Sequence, residues 1–218
     1  DRVFFCNSGA EGNEAAIKMA RMFGHSRDIK VSGIIVTEGA FHGRTMGALT
    51  ATHSSRHQEG FSPFLDGFYR VPFNDSKAVE ETIKANSNVV AVMVEPIQGE
   101  GGILLPDSDY LNKLRTLCDD NDLLLMLDEV QCGNGRTGKY FAYQHNNILP
   151  DVFSTAKGLG NGFPIGACLA RGKAAEILQP GHHATTFGGS PLACAAAIAV
   201  YEAIQSENLL ENAAAQGD

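Results

Sequence analysis

The chain has 218 residues, 44% of them hydrophobic and 19% charged, a balance that suits a globular enzyme built around a sizeable core. Its formal net charge of −8 excludes a nucleic-acid surface, because neutralising phosphates takes clustered Lys and Arg. No apolar run reaches the roughly 20 residues of a membrane span. The five cysteines are scattered and form no Cys-x-x-Cys pair, so they read as reduced thiols of a cytoplasmic compartment. The seven histidines form no His-Glu-x-x-His pattern, and no metal site is expected.

Short apolar runs alternate with helical stretches along the chain, the signature of an α/β sheet built from crossover units. Residues 3–5 read as a strand, and Asn7-Ser8-Gly9 turns into a helix over 10–23. Ser8 followed three residues later by Glu11 fits a capping box. Further strands are expected at 33–37, 89–95, 123–127, 151–154 and 165–170, and helices at 76–86, 109–121 and from Pro191 to Ser206. The unbroken apolar strands suit burial on both faces of a parallel sheet. No repeat, linker or leader pattern is read, and 1–218 is expected to be one domain. Asp1 runs straight into Val3-Phe4-Phe5, and 212–218 reads as a small polar tail after a helix. Both ends are expected to be cuts in something longer.

The strongest chemical pattern is the apolar run 123–127 closing in Asp128-Glu129, followed by Thr155-Ala156-Lys157 after the next strand. In an open α/β sheet the strand C-termini converge on a ligand crevice. A carboxylate and a lysine delivered there are the pair that a pyridoxal-phosphate (PLP) enzyme needs. The lysine binds the cofactor covalently, and the carboxylate pairs with the pyridinium nitrogen. Taken singly, a strand-end carboxylate more often caps a helix, and a loop lysine is more often solvated.

Three other segments change that balance. At Asn7-Ser8-Gly9-Ala10-Glu11 a strand turns into a helix whose first free N–H groups can bind a phosphate. Ala184-Thr185-Thr186-Phe187-Gly188-Gly189 offers hydroxyls beside glycines, a second phosphate contact. In Phe41-His42-Gly43-Arg44-Thr45 the aromatic could stack on a cofactor ring and the arginine could clamp a carboxylate. Two decoys fail. Gly133 to Tyr140 nearly makes a phosphate loop, but Tyr140 stands where Ser or Thr must ligate magnesium. Gly158-Leu159-Gly160-Asn161-Gly162 leads into Pro164 and an apolar run instead of a dinucleotide-binding helix.

Together these segments, with Val94-Glu95-Pro96-Ile97-Gln98-Gly99-Glu100 and Gly135-Arg136-Thr137-Gly138, resemble the class III (ω-amino) aminotransferases, in family order and over nearly the whole chain. The resemblance implies the fold-type-I large domain, a mostly parallel sheet flanked by helices, in a homodimer with shared active sites. It implies Lys157 as the covalent anchor of PLP and Asp128 as the pyridinium partner. Gln131 is similar to the residue that bonds the ring hydroxyl, Val130 and Phe41 to residues on the two ring faces. Ser8, Gly9 and Ala10 then belong to the phosphate site, and Thr186 resembles a threonine that reaches the phosphate from the partner subunit. Arg44, Thr185, Glu95 and Glu100 fall at substrate-contacting positions.

The implied activity moves the terminal amino group of an ω-amine of the N-acetylornithine type to 2-oxoglutarate. Ornithine, succinylornithine and 4-aminobutyrate remain open as substrates, as do another PLP-dependent reaction type and a PLP-binding fragment without full activity. The chain departs from the family at Gly12, where alanine is usual, at a helix cost of up to about 1 kcal/mol. The family's N-terminal segment and C-terminal small domain are not in the sequence.

Overall fold

A computed structural model describes residues 1–217. The elements run β1 (Arg2–Cys6), α1 (Gly9–His25), β2 (Gly33–Thr37), α2 (Met46–Ala51), α3 (Ser55–Gln58), β3 (Phe68–Val71) and α4 (Ser76–Ala85). After these come β4 (Val89–Val94), α5 (Tyr110–Asp120), β5 (Leu124–Asp128), β6 (Val152–Thr155), β7 (Gly166–Ala170), α6 (Pro191–Ser206) and α7 (Leu209–Gly217). Among the described residues they build a seven-stranded sheet in the order β1-β7-β6-β5-β4-β2-β3. Strands β3, β2, β4, β5 and β6 run parallel to one another, while β7 runs antiparallel to both β1 and β6. The reversal at β7 follows from its approach: residues 156–165 make only a short 3-10 turn and a loop, with no crossover helix to return the chain to the other end.

Side-chain alternation along the strands divides the core in two. Ile34 and Val36, Met93, and Leu124 and Met126 pack under Ala16, Ile17, Ala20 and Phe23 of α1. Ile35, Val92 and Val94, and Leu125 and Leu127 pack on the opposite face with Val79 of α4 and Leu111, Leu114 and Cys118 of α5. Every residue of β2, β4 and β5 is buried, as expected for strands covered on both faces. Truncating Leu125 to alanine would remove a side chain with no solvent exposure, at a cost of about 2–5 kcal/mol.

The expected strands and long helices all form, with shifts of one or two residues at their ends. Elements missing from the sequence reading are short or polar: β3 is a four-residue edge strand with Arg70 exposed, and α2 and α3 span six and four residues. The C-terminal residues are helical rather than a polar tail. Residues 212–217 continue the helix α7, favoured by Ala213, Ala214 and Ala215, and Asp218 lies outside the described residues. The capping box is also displaced. Ser8 Oγ accepts from the Glu11 N–H at 3.3 Å, but Glu11 Oε2 reaches past Ser8 to the Asn7 N–H at 2.7 Å. Gly12 has a packing reason as well as a helix cost: a Cβ there would sit 3.2 Å from the Ala167 carbonyl oxygen of β7.

Candidate active site

The C-terminal ends of β1, β2, β4, β5 and β6 all open at one edge of the sheet, and the segments that follow them enclose a cavity of about 480 Å³. Its floor is Asp128, the last residue of β5, which is 3% exposed. An isolated buried carboxylate would be expensive, and this one is answered on every side. Oδ2 accepts from Asn13 Nδ2 at 2.7 Å and from His42 Nδ1 at 2.8 Å. Oδ1 accepts from the Val130 N–H at 3.0 Å, with Ser154 Oγ 3.4 Å away. Asn13 is held in turn, its amide donating to the His42 carbonyl at 2.7 Å and its oxygen accepting from Ser154 Oγ at 2.6 Å.

His42 is fully enclosed. Burial works against its charged form, but the hydrogen bond to Asp128 and the charges of Asp128 and Glu95 outweigh burial and raise its pKa. Its Nε2 is buried with no partner, so the bond through Nδ1 alone orients the ring. Sequence reasoning passed over His42, Asn13 and Ser154. A signal was available for Asn13, a polar residue on the otherwise apolar inner face that carries Ala16, Ile17 and Ala20.

Lys157 follows β6 and is exposed to the cavity, its Nζ donating to Gln131 Oε1. Its φ of +43° is a left-handed conformation that non-glycine residues adopt at a cost, a form of strain that clusters at functional sites. Ser8, Gly9 and Ala10 form another wall. The Glu11 N–H goes to Ser8 Oγ and the Gly12 N–H to the Ser8 carbonyl, which leaves the N–H groups of Gly9 and Ala10 without an intrahelical acceptor. Gly9 is required sterically, because a Cβ would lie 2.6 Å from a Val130 methyl.

Phe41 and Val130 also line the cavity. The Arg44 guanidinium sits 5.6 Å from the centre of the Phe41 ring, and His57 meets that ring edge-on at 5.6 Å. Glu95 and Glu100 line the cavity too, in different ways. Glu100 is exposed. Glu95 is buried, its oxygens accepting from the Phe41 N–H at 2.9 Å and the Gly99 N–H at 3.1 Å, so it braces Phe41. Burial, reinforced by the charge of Asp128, raises the Glu95 pKa against the opposing pull of His42 and these two N–H groups.

Eleven of the thirteen site residues read from the sequence thus meet at one cavity. Thr185 and Thr186 do not. Thr185 Oγ1 accepts from Asn7 Nδ2 at 3.1 Å just outside it, and Thr186 is exposed. Among the described residues, no cluster of three or more His, Cys, Asp and Glu side chains is arranged to hold a metal ion, and no helix is long and apolar enough to cross a membrane.

Residues 1–218 match the family described as aminotransferase class-III along their whole length. The chain belongs to the class III aminotransferases. Its sheet is that of the fold-type-I, PLP-dependent members of this class. Among curated class III relatives it is 56% identical over 218 residues to an acetylornithine aminotransferase of Nitrosomonas europaea, covering all of this chain and 56% of that one. It is 48% identical to an acetylornithine aminotransferase of Nostoc sp., again over the whole chain and 52% of the relative. Among solved structures, ornithine aminotransferase from Toxoplasma gondii superposes with a TM-score of 0.92 at 38% identity, over 96% of this chain and 51% of that one. The chain therefore spans about half the length of the curated class III relatives it matches.

Proposed function

We propose that this chain is the PLP-binding large domain of a cytoplasmic aminotransferase that moves the terminal amino group of N-acetylornithine to 2-oxoglutarate. The observation that carries the reading is the meeting, in one cavity, of a buried carboxylate held by four neighbours and a lysine from the turn after the adjacent strand. N-acetylornithine is preferred over ornithine because identity is 56% to a relative named for the former and 38% to a structure named for the latter.

The residues present fit PLP on their own chemistry. The free N–H groups of Gly9 and Ala10 at the positive end of α1 suit a phosphate, and the missing Cβ at Gly9 keeps that wall open beside Val130. Phe41 and Val130 offer apolar surface for a ring, Asp128 a carboxyl acceptor for a ring N–H, Gln131 a polar partner, and Lys157 a primary amine. When bound, PLP supplies an electron sink for the charge that develops as the amine carbon loses its proton.

The chain's own groups do the rest. Lys157 anchors the cofactor, then takes and returns the proton at the reacting carbon as general base and acid. Asp128 keeps its proton partner charged, and His42 and Asn13 hold Asp128 in place. Arg44 and Glu100 lie at the cavity mouth, positioned to select a substrate carrying both charge signs. A homodimer with shared sites is supported by Thr186, exposed and outside this chain's own cavity. It is also supported by α6, which leaves Leu192, Ile198 and Tyr201 uncovered.

The test is Lys157→Ala in the full-length protein, assayed with N-acetylornithine and 2-oxoglutarate. The expected result is loss of turnover, with glutamate formed only by the wild type. Ordinary turnover in the variant would overturn the assignment.

A further inference from the structure

Helix α1 carries Glu11, Glu14 and Lys18 at spacings of three and four residues, which puts them on one face. Each grips a different segment of the chain. Glu11 Oε2 accepts from the Asn7 N–H at 2.7 Å, fixing the turn that leads into Gly9. Glu14 Oε1 accepts from the N–H groups of Gly47 at 2.8 Å and Ala48 at 3.1 Å, capping α2 just beyond Arg44. Lys18 reaches the third segment, its Nζ bonding the His182 carbonyl at 3.1 Å and His183 Nδ1 at 2.9 Å.

That third segment leads directly into Thr185 and Thr186, and it is seated at several further points. The His183 ring lies 4.6 Å from the Phe4 ring of β1. Thr185 is bonded to Asn7. Gly188 lies so close to β1 that a Cβ there would stand 2.2 Å from the Phe5 carbonyl oxygen. Between these points, Lys18 provides the charged anchor.

We propose that Lys18 is a positioning residue, holding the 182–189 loop at the register in which Thr186 faces outward to complete the site of a second copy of this chain. The last step rests on the function proposed above. An ammonium can only donate, so His183 Nδ1 must accept and the ring must be neutral. Burial and the Lys18 charge both lower the His183 pKa, against Glu14 and Glu11 on the same helix. Those three groups and the neighbouring His182 are the titratable groups around the ring, while β1 contributes the uncharged Phe4.

The experiment compares wild type, Lys18→Met and Lys18→Arg in the full-length holoenzyme. Two quantities are read: hydrogen–deuterium exchange of the 182–189 amides, and the PLP concentration for half-saturation. In Lys18→Met, exchange in the loop should rise about tenfold while β2, β4 and β5 stay protected, PLP half-saturation should rise by a similar factor, and Lys18→Arg should restore both. In the wild type, loop protection corrected for intrinsic exchange should be lost as pH falls through a midpoint below 6.5, the ordinary histidine value. Unchanged loop exchange in Lys18→Met, or no acid-dependent loosening in the wild type should Lys18→Met not fold, would overturn the proposal. A loosened loop with unchanged PLP binding would support Lys18 as the anchor and contradict Thr186 as a cofactor contact, which separates the two claims.

Discussion

His42 donates its Nδ1 proton to Asp128 Oδ2 across 2.8 Å, with the two side chains 0% and 3% exposed. The pair is set by the loop after β2 meeting the end of β5, and Asn13 of α1 closes it from above. Three separate stretches of sequence thus fix one carboxylate.

Removing His42 should therefore damage chemistry more than folding. His42→Ala leaves Asp128 its bonds to Asn13 and the Val130 N–H, so PLP should still bind. The reorientation of Asp128 should lower kcat about 10–100-fold, as loss of an outer hydrogen-bond partner does at other sites. Steady-state kinetics with saturating PLP checks this, and an unchanged kcat would show that His42 does not orient Asp128.

Asn13→Ala should act the other way. It strips partners from Asp128, the His42 carbonyl and Ser154 at once, all in buried surroundings. The expected loss is about 3 kcal/mol, read as a lower urea midpoint with an unchanged denaturant slope.

Much of this was legible in the sequence, and for definite reasons. The runs at 89–94 and 124–127 are apolar on both faces, so strand, burial and crossover order follow together. Asp128 stands out because it closes an apolar strand, and Lys157 because it comes just after the next one. The antiparallel turn of β7 was not legible, since it depends on a connection whose length is clear but whose direction is not. Nor was the double duty of Glu95: a carboxylate that braces backbone N–H groups looks, in sequence, like one that faces substrate. His42 lay between two residues that were singled out, but its role needs β5 beside it.

The closeness of Gly9 to Val130 gives a paired test. Gly9→Ala should force the two walls apart at an overpacking cost of about 1–3 kcal/mol and weaken PLP binding. Adding Val130→Ala removes the methyls that the new Cβ would strike. The double variant should recover part of the lost affinity, and a double-mutant cycle with no coupling would contradict the contact.

Glu129 gives a prediction in pH. It is buried beside Asp128 and accepts from the Ala142 and Tyr143 N–H groups at 3.0 and 2.9 Å and from the Cys132 thiol at 3.1 Å. Burial outweighs these bonds and holds its pKa above the ordinary 4.5. A folded-state pKa raised above the unfolded one contributes stability that is fully present below the unfolded value and lost as pH rises through the folded one. The stability of wild type minus that of Glu129→Gln should therefore fall as pH rises above 4.5, the ordinary carboxylate value. Urea midpoints at increasing pH check it, and a rising difference would contradict the burial of the charge.

The proposed chemistry requires that this cavity hold PLP on Lys157. It is tested most directly by the visible spectrum of the full-length protein with added PLP, followed by borohydride reduction and peptide mapping. The expected result is a yellow protein whose reduced adduct maps to Lys157. A folded dimer that stays colourless, or an adduct on another lysine, would contradict it.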